Sequence, residues 1–268
     1  MSTAVRRARA IVLRRRETGE RDVLLTLYSL EAGRMQMLVR GTQKPASTLR
    51  RCADLFNEGT FHFIPRRSVP LLNQWEPIET FDALKKDPGK LSLGFFMLKV
   101  IHETGVDGDP EPELYYLLKN LLWLLQNSEN HDKIKAAFLT GVLEKTGFSV
   151  NWAACQGCGD DLAGECFLAV RENGFVCSRC AGRFSGAGRQ PVSLKTVKIG
   201  KKIIKVLEKI VFRPMDAPSV QQKALRFFET FCARLSGCER EMGGLGYAVT
   251  RFFQYHVNEN VTHWYVSL

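Results

Sequence analysis

A-I-V-L-R-R-R-E-T-G-E-R-D-V-L-L-T-L-Y-S (residues 10–29) and G-R-M-Q-M-L-V-R-G (residues 33–41) decide how this chain begins to fold. Apolar, β-branched and aromatic residues recur with partial period-2 alternation over residues 10–16, 21–30 and 34–41, as strands with one buried face require. Thr18-Gly19-Glu20 and Glu31-Ala32-Gly33 separate them as turns. E-G-T-F-H-F-I-P (58–65) and L-L-N-Q-W-E-P-I (71–78) repeat the pattern beyond turn-rich pieces at residues 41–45 and 65–70. Five short strands within residues 1–80, with a short helix expected over residues 48–53, predict a small closed barrel. A five-stranded OB-fold is the leading architecture of that size, and an SH3-like barrel is the alternative.

The same segment is strongly basic. Residues 1–80 hold fourteen cations against eight acids, and thirteen of the fourteen are arginine, the side chain whose planar fork matches a phosphate. Tyr28, Phe56, Phe61, Phe63 and Trp75 are candidates for stacking on bases, or else for the barrel core. Over the whole chain, 38 Lys and Arg against 28 Asp and Glu give a formal charge of +10. A polyanionic partner fits that balance; a basic surface kept for solubility is the plainer alternative.

Beyond residue 80 the period lengthens to that of helices, over residues 91–104, 113–126 and 132–146, the last stopping at Gly147. Helical patterning resumes at Ser193 and runs on, with breaks expected at residues 214–218 and 243–246. The stretch S-L-K-T-V-K-I-G-K-K-I-I-K-V-L-E-K-I-V-F-R (193–213) puts Lys195, Lys198, Lys201, Lys202, Lys205, Lys209 and Arg213 on one side of a helical wheel. Val197, Ile199, Ile203, Ile204, Leu207, Ile210 and Val211 take the other, and Glu208 is the only acid. A phosphate-contacting face is the sharper reading. A solvated face of a core helix is the blander one, although such faces usually mix signs.

Between these helical regions stands C-Q-G-C-G-D-D-L-A-G-E-C-F-L-A-V-R-E-N-G-F-V-C-S-R-C (155–180). Two Cys-x-x-Cys pairs, Cys155/Cys158 and Cys177/Cys180, lie 18 residues apart, inside the window of four-thiolate zinc sites. Asn173-Gly174 signals a hairpin turn between the pairs. Two knuckles on a hairpin describe a zinc ribbon holding one structural ion, with Cys166 left out of the ligand set. A catalytic zinc would need an open position and an acid/base such as H-x-E or H-E-x-x-H, and neither motif occurs. A redox dithiol would need only one pair in a thioredoxin-like setting.

Other absences narrow the function. No G-x-x-x-x-G-K-[ST] occurs, which argues against a P-loop ATPase, and Gly243-Gly244-Leu245-Gly246 does not follow a strand as a dinucleotide loop must. His256 and His263 read as packed or exposed helix-end residues rather than ligands. The apolar helical stretch at residues 114–126 is interrupted by Lys119 and Asn120 and falls short of the roughly 20 apolar residues of a span. The run Ala10–Leu13 is too short for a signal-peptide core. An intracellular, cytoplasmic protein without a membrane partner is therefore expected, where paired cysteines mean metal rather than disulfides.

An arginine-rich small barrel, a helical domain and a four-cysteine ribbon inserted into it resemble the RecO family of bacterial recombination mediators. The resemblance is carried by residues 10–29 and 33–41, by Lys44-Pro45 and Ser47, and by C-Q-G-C-G and C-S-R-C in their order and place. It extends to about residue 235, and residues 241–268 depart from it. The organisation expected is an OB-fold at 1–80, helices at 81–150, the zinc ribbon at 151–186 and further helices at 187–268. The resemblance implies a nucleoid-associated, non-enzymatic protein of DNA repair. Such a protein binds single- and double-stranded DNA, anneals complementary strands and helps load recombinase onto strands coated by single-stranded-DNA-binding protein. Its implied partners are RecR, the acidic tail of the coating protein, RecF and RecA. By position it places DNA contacts at Arg14, Arg15, Arg16, Arg34, Arg40, Lys44 and Arg50. Contacts at Lys198, Lys202, Lys205 and Lys209 rest on the helix reading alone. An RNA-binding or ribosome-associated protein on the same barrel is the alternative, and a zinc-dependent enzyme the more remote one.

Overall fold

The structure is a computed structural model, and it describes residues 4–19, 22–42, 49, 51–184 and 191–257. Lys44, Arg50 and His263, and the side chain of His256, lie outside the described residues. The chain divides into two compact units, Met1–Gln126 and Asn127–Leu268.

In the first unit, strands β1 (Arg6–Thr18), β2 (Asp22–Ser29), β3 (Gly33–Val39), β4 (Glu58–Ile64) and β5 (Leu71–Glu79) close in the order β1-β2-β3-β5-β4. This is the expected OB-like barrel. β1 is long because it serves two neighbours: residues 10–18 pair with β2, and residues 6–11 pair with β4. An irregularity between Val12 and Arg14 bends it from one partnership to the other, the usual means by which a strand turns a barrel corner. Val12, Leu25, Leu27, Met37, Val39 and Phe61 fill the interior. Where a helix was expected over residues 48–53, a 3-10 turn at Arg51–Ala53 buries Cys52 and Ala53 against that core.

Helices α1 (Asp82–Lys86), α2 (Pro88–Thr104) and α3 (Pro112–Asn127) follow. α2 starts sharply because Asp87 accepts from the N–H groups of Gly89 and Lys90, with Pro88 in the first turn. The polar interruption of α3 has a structural purpose. Lys119 reaches Glu58 of β4 at 3.1 Å, Tyr115 donates to the same carboxylate at 2.7 Å, and Arg9 of β1 completes the group at 2.7 Å. Glu58 is fully buried, so its charge is neutralised inside the unit rather than by water.

The second unit begins with α4 (His131–Lys145), which ends at Thr146 before Gly147 in the left-handed region (φ 82). A four-stranded sheet of order β6-β8-β7-β9 comes next, from β6 (Asn151–Cys155), β7 (Glu165–Ala169), β8 (Gly174–Cys177) and β9 (Pro191–Ser193), with short α5 (Ser178–Ala181) after β8. β7 and β8 form the anticipated hairpin, turning at Asn173 with φ 50. Ser193 then caps α6 (Leu194–Val206) by accepting from the Thr196 N–H. The basic stretch expected as one helix to residue 213 widens into a π turn at Leu207–Val211.

α7 (Pro218–Ala233) and α8 (Glu239–Val257) complete the unit. The break expected at residues 243–246 is not there: α8 runs through all three glycines. The chain reverses instead at Gly237, with φ 76. Gly244 is where α8 meets α6. A Cβ there would sit 3.4 Å from the Thr196 hydroxyl, which itself donates to the Glu241 carbonyl. Met242, Leu245, Ala248, Val249 and Phe253 are buried, so the divergent end supplies core as far as Phe253. No helix among the described residues is long and apolar enough to cross a membrane.

Candidate nucleic-acid interface and metal centre

The bend in β1 sets the direction of its arginines. Beyond it, Arg14 pairs across to Thr26 and Arg16 to Leu24, while Arg15 pairs to the core residue Leu25. Arg14 and Arg16 therefore stand on the outer face of the sheet, and Arg15 lies on the inward side where the strand leaves the barrel end. All three are exposed. The outer row continues through Thr26 to Gln36 and its neighbour Arg34. Together these side chains and Asp107 line a pocket of about 270 Å³. Arg40 is exposed beyond the end of β3, with Asp22 at 4.0 Å. Arg34 differs from the others: its Nε–H donates to Asp107 at 2.6 Å and its Nη1–H to the His102 carbonyl at 2.5 Å.

Tyr28, Phe56 and Phe61 are at most 1% exposed. They are barrel and helix core, and their rings are closed to base stacking. Phe63 and Trp75 are half-buried against the same core.

The second basic surface is the exposed side of α6. Lys198, Lys201, Lys202 and Lys205 are exposed while Val197, Ile199, Ile203 and Val206 are buried, the division read from the sequence. Lys195 is drawn to Glu241 at 3.4 Å. Lys209, on the π turn, carries its ammonium over the Phe227 ring at 5.8 Å. A larger cavity of about 460 Å³ lies between α4 and α8, but its rim mixes Lys133 and Lys135 with Asp132 and Glu239 and makes no single-sign field.

The candidate metal centre joins the two ends of the cysteine segment. One sulfur each from Cys155, Cys158, Cys177 and Cys180 lies within 4.8 Å of the other three. Cys166 is buried one strand away, paired with Cys177 in register, and stays outside the set as expected. Backbone N–H groups of Gly157 and Cys177 both point at the Cys155 sulfur, at 3.3 Å. Burial pushes that thiol up, but these N–H groups, with the backbone and thiol of Cys158, outweigh burial and bring it down to about 6, favouring the thiolate at this sulfur. A Cβ at Gly157 would lie 2.8 Å from the Cys180 Cβ, so glycine there lets one knuckle close on the other. Arg179 and Asp160 bridge the knuckles on the outside at 2.6 Å. Four thiolate donors with converging backbone dipoles fit a tetrahedral soft-ligand ion.

Sequence reading missed the groups that hold these surfaces in place. Trp152, three residues before the first ligand, lies on Gly200 of α6, where a Cβ would come within 2.2 Å of its ring. The same indole contacts Phe175 of β8, ring centres 5.3 Å apart. The cysteine sheet and the lysine helix are thus one packed assembly. A lone glycine inside a basic helix was the available signal.

Comparison with known families agrees with this anatomy. The N-terminal family described as Recombination protein O matches residues 1–81, and its C-terminal counterpart matches residues 85–240. A DNA repair protein RecO from Pelotomaculum thermopropionicum is 28% identical over 209 residues, 78% of each chain. One from Alkaliphilus metalliredigens is 26% identical over 194 residues, covering 72% of this chain and 78% of its own. Another, from Syntrophomonas wolfei, is 25% identical over 227 residues, 84% of this chain and 87% of its own.

Proposed function

The chain belongs to the RecO family of recombination proteins, and from that premise we propose that it is a non-catalytic DNA-binding mediator of recombinational repair. It binds single- and double-stranded DNA through phosphate contacts, anneals complementary strands and helps seat recombinase on strands coated by single-stranded-DNA-binding protein. Two strands repel one another, and a surface that binds both without base readout must offer cations to their backbones. Arg14 and Arg16, side by side and exposed on the outer barrel face, are the observation that carries this reading. Arg15, Arg40 and the α6 lysines Lys198, Lys202 and Lys205 extend it, and Lys209 supports it from the π turn. Arg34 belongs to the same face in a paired state. RecR, RecF, RecA and the acidic tail of the coating protein are the partners such a mediator serves.

The four cysteines hold one structural zinc in this reading. A set of four thiolates leaves no coordination position for a substrate, which supports a staple over an active centre. When bound, the ion supplies a fixed tetrahedral node. The chain's own contribution is to keep α6 seated through Trp152.

Annealing of complementary strands precoated with single-stranded-DNA-binding protein tests the function. The parent protein should accelerate annealing in a salt-sensitive manner, and Arg14→Glu/Arg16→Glu should abolish it while melting normally. Normal annealing by that variant refutes the barrel face as the working surface. Preference for structured RNA over single-stranded DNA at physiological salt points to the ribosome-associated alternative instead.

A further inference from the structure

We propose that the pocket on the outer face of β1–β3 is a docking point for a phosphodiester of a DNA strand, and that Asp107 is its built-in competitor, occupying Arg34 until a phosphate displaces it. This rests on the DNA-binding reading above and adds how that face is held in check.

The pocket offers three guanidinium groups, Arg14, Arg16 and Arg34, around the hydrogen-bonding side chains of Thr26 and Gln36. Arg14 and Arg16 form no ion pair among the described residues, whereas Arg34 is engaged by Asp107 at 2.6 Å. A carboxylate bound to the Nε edge of an arginine has the charge and the acceptor oxygens of a phosphate in the same position. Asp107 is therefore placed as an anion in a site built for anions.

Its hold is a replaceable one. The Asp107 side chain is 71% exposed, and ion pairs so open to water are weak and screened by salt. The loop that carries it is anchored without that side chain. Arg34 N–H donates to the Val106 carbonyl at 3.0 Å and Gly108 N–H to the Arg34 carbonyl at 3.4 Å. Beneath the loop, Gly33 has φ +62, and a Cβ there would fall 2.3 Å from the Asp109 carbonyl oxygen. Backbone and glycine together fix the loop, so exchange of carboxylate for phosphate requires only a side-chain rotation at residue 107. Arg34 stays aimed meanwhile, because its Nη1–H bond to the His102 carbonyl is untouched.

The burial of the other engaged acid marks the contrast. Glu58 is fully buried under Arg9, Lys119 and Tyr115 and is part of the fold. Asp107 sits at the mouth of a basic pocket, where nothing structural requires a charge.

The test is single-stranded DNA binding by fluorescence anisotropy across a salt series, on the full chain. The parent is compared with Asp107→Asn, Asp107→Ala, Arg34→Gln, Arg34→Gln/Asp107→Asn and Arg14→Gln/Arg16→Gln. Both Asp107 variants should bind several-fold more tightly and steepen the log–log salt slope by about 0.7, the increment of one added phosphate contact on a single strand. That gain should vanish when Arg34 is also replaced, as a pairwise coupling demands. An equal gain in both backgrounds would mean that Asp107 acts only through the general field, and would overturn the proposal. So would unchanged binding by the Asp107 variants while Arg14→Gln/Arg16→Gln still weakens it, a result that leaves the DNA-binding reading standing. Absence of binding by the parent defeats both readings. Unchanged melting of the Asp107 variants is expected from their exposure and guards the comparison.

Discussion

In the barrel unit, basic side chains stand on a sheet that closes on itself. In the second unit, they stand on a helix that leans on strands only three to five residues long. The barrel closes on itself over a continuous apolar interior, so its outer face is held by ladder hydrogen bonds and burial, with the buried Glu58 group beside them. The cysteine sheet has too little interior for that and instead gathers four cysteine sulfurs within 4.8 Å of one another. The two surfaces also differ in counter-charge. Three barrel arginines face acids placed among them, Glu17 at Arg15, Asp22 at Arg40 and Asp107 at Arg34, while on α6, among the described residues, only Lys195 is drawn to an acid, Glu241. A face read at one geometry can afford tuning by neighbouring acids; an unopposed row of lysines supplies bulk attraction.

The sharpest way to break this contrast is to remove one of the proposed metal ligands. Replacing Cys177 with serine should release the ion and unfold the sheet locally, because a structural zinc contributes on the order of 10 kcal/mol to its module. Amide exchange should rise across residues 151–206 and remain unchanged over β1 to β5. If the barrel strands lose protection equally, the two surfaces are not independently supported. Metal analysis of the parent should return zinc in a one-to-one ratio with chain.

The matching test inside the barrel unit is Glu58→Ala. It leaves Arg9 and Lys119 buried without their anion, a loss of about 3–5 kcal/mol by the usual cost of breaking a buried pair. Thermal melting should fall sharply while zinc content holds. A Glu58→Gln variant that melts like the parent would show that hydrogen bonding rather than charge ties β4 to α3.

Much of this was legible in the chain itself, and the exceptions have a common cause. The barrel strands announced themselves because β-branched and aromatic residues, partly alternating, recur between turn signals over residues 10–41. The four clustered cysteines announced themselves by the paired spacing that a metal site would require. Asp107, Lys119 and Trp152 did not, since each acts on a residue far off in sequence: Arg34, Glu58 and Gly200. Lys119 reads as an interruption of an apolar helix in the sequence and pairs in the fold with Glu58. The glycines of α8 read as a break because helix propensity disfavours them, yet the helix runs through them, with Met242, Leu245, Ala248 and Val249 buried on one side. Tertiary juxtaposition, not local pattern, placed every one of these residues.

The link between the two features of the second unit is weaker than either metal or buried charge, and Trp152→Ala measures it. The ring is 7% exposed, and its loss should cost roughly 3 kcal/mol by analogy with other large core truncations. Zinc should remain bound while amide exchange rises in α6 and single-stranded DNA affinity falls. Retained affinity with a loosened helix would show that the α6 lysines bind DNA without being held in register.

The smallest effects separate arginine from lysine. Arg14→Lys/Arg16→Lys keeps both charges, so the salt slope of single-stranded DNA binding should stay as it is. Affinity should nonetheless drop a few-fold, because an ammonium cannot reproduce the two-pronged contact of a guanidinium. Lys198→Arg/Lys202→Arg should produce no loss, since a flexible row on an open helix face works as point charges. Lys198→Gln/Lys202→Gln should instead flatten the slope by roughly 1.4, two phosphate contacts at about 0.7 each. Identical responses of the two surfaces to all three exchanges would reduce them to a single field of positive charge, and the placement of Arg14 and Arg16 above Thr26 and Gln36 would then have no bearing on how a strand is held.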